Sequence, residues 1–426
     1  MMSKTDFLVL IVVLAGLGLR IAFVLNVPTA QMFDFATYYE LALNIRNGLG
    51  HTLNGFPVAW QGPLYPYVLG IFFRLTNTDT EMAGKVLNII LSTLTMIISI
   101  PVYGRLLGRG GKQLAAVALM AFFPANIAYV NVLGTEVLFG FLFMAIICLF
   151  LYGQNWRTYL LLGLFTGLAA LTRPLMLAFP AALCLVFWLR SANLKQTLAF
   201  TGIITAAVFL TVAPWTIRNY RHFDRFIPIS YNAGYVQFIN NNDHNHTGLW
   251  MDLLAAAEGL PQRDEIAAIL AQTGDLKAAH NLEPILSAAA REWIFANPAE
   301  FMQLGFLRIY RTFFTAADDI PQWAMNEAEF AAPRSQNAAE AALNIILSAF
   351  SLLAFIFAFS RLPAFFKSLG VKNTANVPDM VFLVFFVFFA AIVFVSEGQA
   401  RYAFPVYPLM IYAAIQFLNP EERRSK

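Results

Sequence analysis

Residues 7–26 read FLVLIVVLAGLGLRIAFVLN, and residues 31–75 read QMFDFATYYELALNIRNGLGHTLNGFPVAWQGPLYPYVLGIFFRL. The first stretch is almost wholly apolar over the length that crosses a bilayer as an α-helix. It is too long for the apolar core of a secretory signal, contains Arg20 and lacks a clear small-x-small cleavage site, so it reads as a retained span. The second stretch is the loop that follows. Asp34 opens it, and Tyr38, Leu41, Leu43 and Ile45 suit a short helix lying on the membrane surface. Gly62-Pro63-Leu64-Tyr65-Pro66 makes a rigid turn. The apolar run from Pro63 to Leu75 is too short to cross, so it reads as a second in-plane or re-entrant helix.

The whole chain fits this beginning. It has 426 residues, of which 59% are hydrophobic and only 12% charged. A soluble domain carries about 25% charged residues, so a soluble enzyme of this size is excluded. So is a disordered chain, which lacks this much apolar surface. Two cysteines, Cys148 and Cys184, both inside apolar runs, exclude a disulfide scaffold and read as buried thiols. Further spans are expected at 82–103, 114–131, 134–152, 158–172, 175–189, 197–214, 341–360, 379–396 and 402–418, about ten in all.

Lys and Arg in the short loops set the orientation. With the N-terminus in the cytoplasm, the inner segments hold Lys4, Arg105, Arg109, Lys112, Arg157, Arg190, Lys195, Arg361, Lys367, Lys372, Arg423, Arg424 and Lys426. The short outer loops hold only Arg173 and Arg401. Both termini are therefore expected inside, and the net charge of +3 is a topology signal, with no nucleic-acid footprint. Residues 27–81 and 216–340 lie outside. The second of these holds ILSAAAREWIFANPAEFMQLGFLRIYRT (285–312), apolar at helical spacing with a break at Asn297-Pro298. The expectation is an all-α polytopic membrane protein: a membrane module at 1–215, a helical extracytoplasmic cap at 216–340, and C-terminal membrane helices at 341–426.

Several polar residues fall on the outer face. Asp34 is either a helix N-cap or a general base, and spacing alone does not decide. Lys85 lies at the outer end of the second span, Arg218 follows the seventh, and Arg173 and Arg401 occupy the short outer loops. Interfacial cations commonly snorkel, but four on the face poorest in positive charge suit an anionic group such as a phosphate, which Arg binds in bidentate fashion and Lys as a point charge. Glu136, just inside the fourth span, needs a partner, either one of these arginines or a substrate. Residues 240–246, NNNDHNH, read as a polar turn, as pocket lining, or as a metal site built on His244 and His246, although no second ligand pair lies nearby. Tyr38, Tyr39, Trp60, Tyr65 and Tyr67 match an interfacial aromatic belt, with some free to stack on a sugar.

The ordered set of motifs resembles the GT-C superfamily of glycosyltransferases, in particular the bacterial family 39/83-like enzymes related to the protein O-mannosyltransferases and the lipid A aminoarabinose transferase. It comprises Asp34 with Tyr38, Leu41 and Gly48; the GPLYP turn at 62–66; Lys85 in AGKVLN; Thr135-Glu136 in GTEVLF; Leu171-Thr172-Arg173-Pro174; Pro214 through Tyr220; Asn241-Asn242 running to Thr247-Gly248; and Arg401-Tyr402 with Pro405 and Pro408. The resemblance implies a GT-C-like fold, a polyprenyl-phosphate sugar as donor, and attack on the anomeric carbon with loss of lipid phosphate, usually with inversion. It implies Asp34 as base, with Glu136 as a second acidic site residue. It also implies Lys85 and Arg401, then Arg218 and Arg173, on the donor phosphate, and Tyr38, Tyr65, Asn241, Asn242 and Tyr402 around the substrates. No metal is implied: the DxD or ExD pair of metal-using relatives is absent around Asp34, where the next acid is Glu40. The site is expected on the extracytoplasmic face of the inner (plasma) membrane, and the motifs name neither sugar nor acceptor.

Three other readings compete. A transporter or flippase usually shows internal repeats and broken midplane helices, and no repeat is visible here. An O-antigen polymerase or ligase relies on arginines in its large outer loop, and Arg218, Arg221, Arg225, Arg308 and Arg311 fit that pattern. A scaffold would tolerate neutral residues at Asp34, Lys85 and Arg401.

Overall fold

The structure, a computed structural model, describes residues 3–191, 193–315, 319–325, 338–370 and 376–418. The described residues are all-α apart from one small hairpin. The first part comprises α1 (Lys4–Asn26), α2 (Asp34–Arg46), β1 (Thr52–Leu53), β2 (Phe56–Pro57), α3 (Leu64–Thr76), α4 (Glu81–Leu107), α5 (Gly111–Phe122) and α6 (Pro124–Ala128). It continues through α7 (Thr135–Tyr152), α8 (Trp156–Thr172), α9 (Phe179–Ser191) and α10 (Leu194–Phe223). Shorter helices follow: α11 (Ala233–Asn240), α12 (Leu253–Ala256), α13 (Arg263–Thr273), α14 (Leu282–Ala296) and α15 (Pro298–Phe314). The last part is α16 (Ala338–Gly370), α17 (Val377–Val395) and α18 (Tyr407–Leu418).

Local chemistry explains most of the boundaries. Ser3 and Asp6 form a capping box at the start of α1, Thr80 caps α4 through the Ala83 amide, and Asn155 and Asn193 cap α8 and α10. In the hairpin, Asn54 and Gly55 both take positive φ, as a two-residue turn with an Asn-Gly tip requires. The Asn297-Pro298 break falls between α14 and α15, as expected from sequence.

Among the described residues, seven helices are long and apolar enough to cross a membrane: α1, α4, α7, Pro174–Ser191, α10, Glu340–Gly370 and α17. An eighth forms if Gly111–Phe122 and Pro124–Asn131, bent by 50°, count as one span. These correspond to eight of the ten expected segments. The other two are helical but shorter. Expected span 158–172 is the 17-residue α8. Expected span 402–418 begins as a 3-10 run, Ala400–Val406, and becomes regular only in the 12-residue α18. Pro405, which lacks a backbone donor, lies within the 3-10 run. Of the residues used for orientation, Lys372, Arg423, Arg424 and Lys426 lie outside the described residues.

The helices pack through aromatic rings and small contacts. Phe143 of α7 meets Phe179 of α9 at 5.8 Å and Phe389 of α17 at 5.1 Å, all edge to face, so three spans share one aromatic core. Much of the phenylalanine content read from the sequence is thus packing. Arg20 is a charged residue within α1 and is fully buried. It donates from Nε to Ser92 Oγ at 2.7 Å and from Nη1 to the Gly16 and Ala121 carbonyls at 2.8 and 2.9 Å, tying α1 to α4 and α5. Arg20→Ala is expected to destabilise the folded protein by about 2 kcal/mol. Thermal unfolding in detergent, followed by circular dichroism, would show this, and an unchanged midpoint would remove Arg20 as a fastener.

Candidate active site

The loop between α1 and α4 is built around a strained residue. Phe33, directly before Asp34, has φ 51° and ψ −117°, a backbone region that favours glycine. Strain of this kind costs on the order of 1–3 kcal/mol and persists only where surrounding contacts hold it. Here the Phe33 ring stands edge-on to Trp323 at 6.1 Å. As a result Asp34 is the first residue of α2, and its carboxylate caps no helix amide. Gln61 Nε2 instead donates to Asp34 Oδ1 at 2.7 Å, and Arg401 Nη2 to Asp34 Oδ2 at 3.1 Å. The N-cap alternative for Asp34 is therefore not what the fold uses.

The GPLYP turn brings Gln61 into place. A Cβ on Gly62 would stand 2.5 Å from the carbonyl oxygens of both Leu171 and Thr172. Only glycine allows the first loop to lie this close to the end of α8, beside Arg173. Gly134 plays the same part on the other wall, where a Cβ would meet Glu136 Oε2 at 2.5 Å and the Phe35 ring at 2.7 Å.

These elements enclose a cavity of about 300 Å³. Its polar wall carries Asp34, Gln61, Glu136, Arg173, Glu397 and Arg401, with Tyr38 and Tyr402 beside them. Arg173 Nη2 pairs with Glu136 Oε1 at 2.8 Å, and its guanidinium lies over the rings of Phe139 and Tyr402 at 5.6 and 5.2 Å. The guanidinium of Arg401 lies near the rings of Phe35, Tyr402 and Trp323 at 5.5–5.8 Å, and its backbone amide donates to Asp319 Oδ2 at 2.5 Å. Glu136 Oε2, Arg173 Nε and Arg401 Nε are buried with no hydrogen-bond partner. Such orphaned groups are costly unless a ligand meets them.

Glu397 was not singled out from the sequence. It is the one acidic residue of the short loop 396–401, four positions before Arg401, and that placement was the available signal. It accepts from the Tyr402 hydroxyl at 2.7 Å and from Gln399 Nε2 at 2.5 Å. Burial pushes its carboxyl up from the ordinary range, against the opposing pull of Arg401 and the Tyr402 hydroxyl.

The cavity thus gathers Asp34, Glu136, Arg173, Arg401, Tyr38 and Tyr402. Five other expected site residues lie outside its wall. Lys85 Nζ donates to the Thr29 carbonyl at 3.1 Å. Arg218 reaches the Val58 and His51 carbonyls at 2.9 and 3.0 Å and lies 4.6 Å over the Trp215 ring, fastening the hairpin loop to α10. Tyr65 backs the wall, edge-on to Tyr38 at 5.8 Å, with its hydroxyl on Asn88. Asn241 Oδ1 accepts from Arg308 Nη2 at 2.7 Å, and the Asn242 amide caps carbonyls of α11. Arg218 is half-buried and the other four are buried, each in a role the local structure accounts for. Among the described residues, no group of three or more His, Cys, Asp or Glu is placed to hold a metal ion. His244 Nε2 instead faces the Glu258 carbonyl at 2.9 Å.

Comparison with known proteins follows from this geometry. Residues 60–217, which include Gln61, Gly62, Glu136 and Arg173, match the family described as dolichyl-phosphate-mannose-protein mannosyltransferase. No curated protein sequence matches the chain. Among solved structures, the fold matches the archaeal oligosaccharyltransferase AglB from Archaeoglobus fulgidus, in complex with an inhibitory peptide and a dolichol-phosphate. The TM-score is 0.54 and the identity 14%, over 99% of this chain and 52% of that one. It also matches the Archaeoglobus fulgidus oligosaccharyltransferase tethered to an acceptor peptide, at 0.55 and 15%, over 96% and 49%. ArnT from Cupriavidus metallidurans, bound to undecaprenyl phosphate, aligns at 0.48 and 10%, over 95% and 78%. The chain spans about half the length of the oligosaccharyltransferases it matches. It is a multi-pass membrane protein with the GT-C fold, and the resemblance drawn from its sequence motifs is borne out.

The hairpin loop that carries Gln61 is also sensitive to acid. His51 is buried, and burial together with the nearby Arg218 guanidinium lowers its pKa from 6.5 to about 3. The unfolded imidazole therefore takes a proton near pH 6.5, whereas the folded one does not until about pH 3. In that window the unfolded state binds more protons, so folded stability falls as the pH drops, by about 1.4 kcal/mol per unit once well below 6.5. Thermal midpoints measured from pH 7 to pH 4 should decline less steeply in His51→Gln than in the wild type, and identical slopes would rule His51 out.

Proposed function

We propose that the chain is a glycosyltransferase that moves a sugar from a polyprenyl-phosphate donor to an extracytoplasmic acceptor, with Asp34 as general base. The observation that carries this reading is the cavity itself. At one end of a set of apolar helices it brings a carboxylate, held by Gln61 and Arg401, together with two guanidiniums suited to a phosphate. The match to a mannosyltransferase family, and a fold shared with an oligosaccharyltransferase solved with a dolichol-phosphate, support a lipid-phosphate carrier. A donor dissolved in the bilayer demands a site at its surface, and the Lys and Arg distribution supports the outer face of the plasma membrane with both termini inside.

The step is a displacement. The acceptor oxygen (or nitrogen) attacks the anomeric carbon, the bond from that carbon to the phosphate oxygen breaks, and the acceptor proton passes to Asp34. Charge develops on the departing phosphate, where fixed cations stabilise it most. Arg401 is the first of these cations and Arg173 the second. Arg401 is paired with Asp34 before the donor arrives, so a phosphate that draws Arg401 to itself also releases Asp34 Oδ2. Lys85 and Arg218 stand outside this wall and act through the architecture of the loop. The acceptor is unassigned at this level, and the reading needs no metal.

Asp34→Asn keeps the shape but cannot accept the proton, and it should lower turnover of a polyprenyl-phosphate sugar by about 100-fold or more. Wild type and Asp34→Asn, purified gently from their own membranes, would be compared by native mass spectrometry. An adduct with the mass of a polyprenyl phosphate carrying a sugar, enriched in the variant, supports the donor class and gives the sugar mass. An unaffected rate in Asp34→Asn would sink the assignment of the base. Arg401→Lys, which keeps the charge but loses the planar fork, should raise the donor KM about tenfold.

A further inference from the structure

A second cavity, of about 200 Å³, lies away from Asp34. One side is the turn at Asn242–His246, the polar run noted from sequence. The other is the α14–α15 break, with Trp293 and Asn297 from the end of α14 and Glu300, Gln303, Leu304 and Leu307 along one face of α15. Neither feature is used by the displacement at Asp34. The two sides are joined by a 2.7 Å hydrogen bond from Trp293 Nε1 to Asp243 Oδ1. Asn242 and Asn245 spend their amides on the Phe238, Ile239 and Leu249 carbonyls, so they make a rigid floor. Glu300, Gln303 and His246 project polar atoms that form no hydrogen bond within the described residues, and Leu304 and Leu307 add an apolar strip between them.

The chemistry of that wall narrows the ligand. Two carboxylates with no lysine or arginine would repel a phosphate, a uronic acid or a lipid headgroup anion. Its acids and histidine do not come together as a metal-holding group. Carboxylates and amides around an indole and a short apolar strip suit sugar hydroxyls on one side and C–H faces on the other. The space is that of a single ring.

The cavity is also tied to the one that holds Asp34. Helix α11 lines the first cavity with Ala233, Val236 and Gln237, and it runs out at Asn240 into the turn that floors the second. Eight residues of helix cover about 12 Å, a distance that one or two linked sugars can bridge. Arg308 of α15 is wholly buried. It donates to the Asn240 carbonyl at 2.5 Å, to Asn241 Oδ1 at 2.7 Å and to the Phe394 carbonyl at 2.9 Å. Arg308 thereby fixes the turn of the second cavity to the strand of chain that leads into Glu397 and Arg401.

We infer that this second cavity is a carbohydrate subsite, which takes an uncharged, hydroxyl-rich ring of the acceptor at a fixed distance from the reacting hydroxyl. Its acceptor role rests on the proposed glycosyl transfer, whereas its capacity to bind a saccharide does not. The acceptor class is therefore a glycan or glycolipid with a neutral sugar beyond the one that is modified.

The full chain in nanodiscs would be tested by saturation-transfer NMR with methyl glycosides of neutral hexoses and with a glucuronide as the anionic control. Wild type and Asp34→Asn should both transfer saturation to the neutral glycosides and not to the glucuronide. Glu300→Ala and Gln303→Ala, at exposed positions that do not threaten folding, should each reduce the signal about fivefold or more. Absence of signal with every neutral glycoside would overturn the subsite, and so would a signal that survives both substitutions. In a transfer assay with membrane glycolipid as acceptor, Glu300→Ala should raise the acceptor KM about tenfold and change kcat less than twofold. No turnover by the wild type would count against the glycosyl-transfer reading and leave the binding result standing, so the two failures are distinguishable.

Discussion

Arg401 and Asp34 lie 367 positions apart in the chain and 3.1 Å apart in space. The rest of the structure is arranged to make that contact possible. A charged pair away from bulk water is weakly favourable at best, because desolvation offsets much of the attraction. It persists here because the guanidinium is surrounded by the rings of Phe35, Trp323 and Tyr402 and its backbone amide is taken by Asp319. The carboxylate in turn is held by Gln61 and presented by a strained Phe33. The pair closes the loop between α1 and α4 onto the loop between α17 and α18, and so defines the cavity that the other polar groups share.

A second ion pair, Glu136 with Arg173, repeats the arrangement between the start of α7 and the end of α8. Gly62 and Gly134 explain how these walls come together, since a methyl group at either would collide with backbone or with the paired side chains. The glycine of the GPLYP turn therefore belongs to the construction of the site. It lets the first loop meet Thr172 directly, and no side-chain interaction could substitute for that approach.

The helical architecture was legible in the sequence. Apolar length gives an expected depth, and by that measure Lys85 and Glu136 fall near the ends of spans, Arg218 just after one, and Asp34, Arg173 and Arg401 in the loops between them. Depth does not give azimuth. Lys85 and Arg218 lie at helix ends, yet their side chains turn to the Thr29 carbonyl and to the His51–Val58 loop. Which way a helix faces depends on the packing of neighbours distant in sequence, such as α10 on α8 and α4 on α7. For the same reason Glu397 escaped notice: nothing local distinguishes it from an ordinary loop acid, and its burial is created by Tyr402 and the cavity wall. Hydropathy also does not register that the last apolar stretch opens as a 3-10 run before α18.

The charges in the cavity constrain how an anion can enter. Three carboxylates face two guanidiniums. Burial raises the Glu397 carboxyl, while Asp34 is paired with Arg401 and Glu136 with Arg173. An arriving phosphodiester then finds no unpaired cation on the wall, and it must draw a guanidinium away from its carboxylate. Arg401 is held to Asp34 by a single 3.1 Å contact, longer than the 2.8 Å contact of Arg173 to Glu136. The Asp34 side chain is also a third exposed, against 3% for Glu136, so its charge is the cheaper one to leave in partial contact with water. The pair that yields first is therefore the one containing the proposed base. In that case phosphate binding and release of Asp34 Oδ2 from Arg401 are one event, and the base gains a free carboxylate oxygen only when the donor is in place.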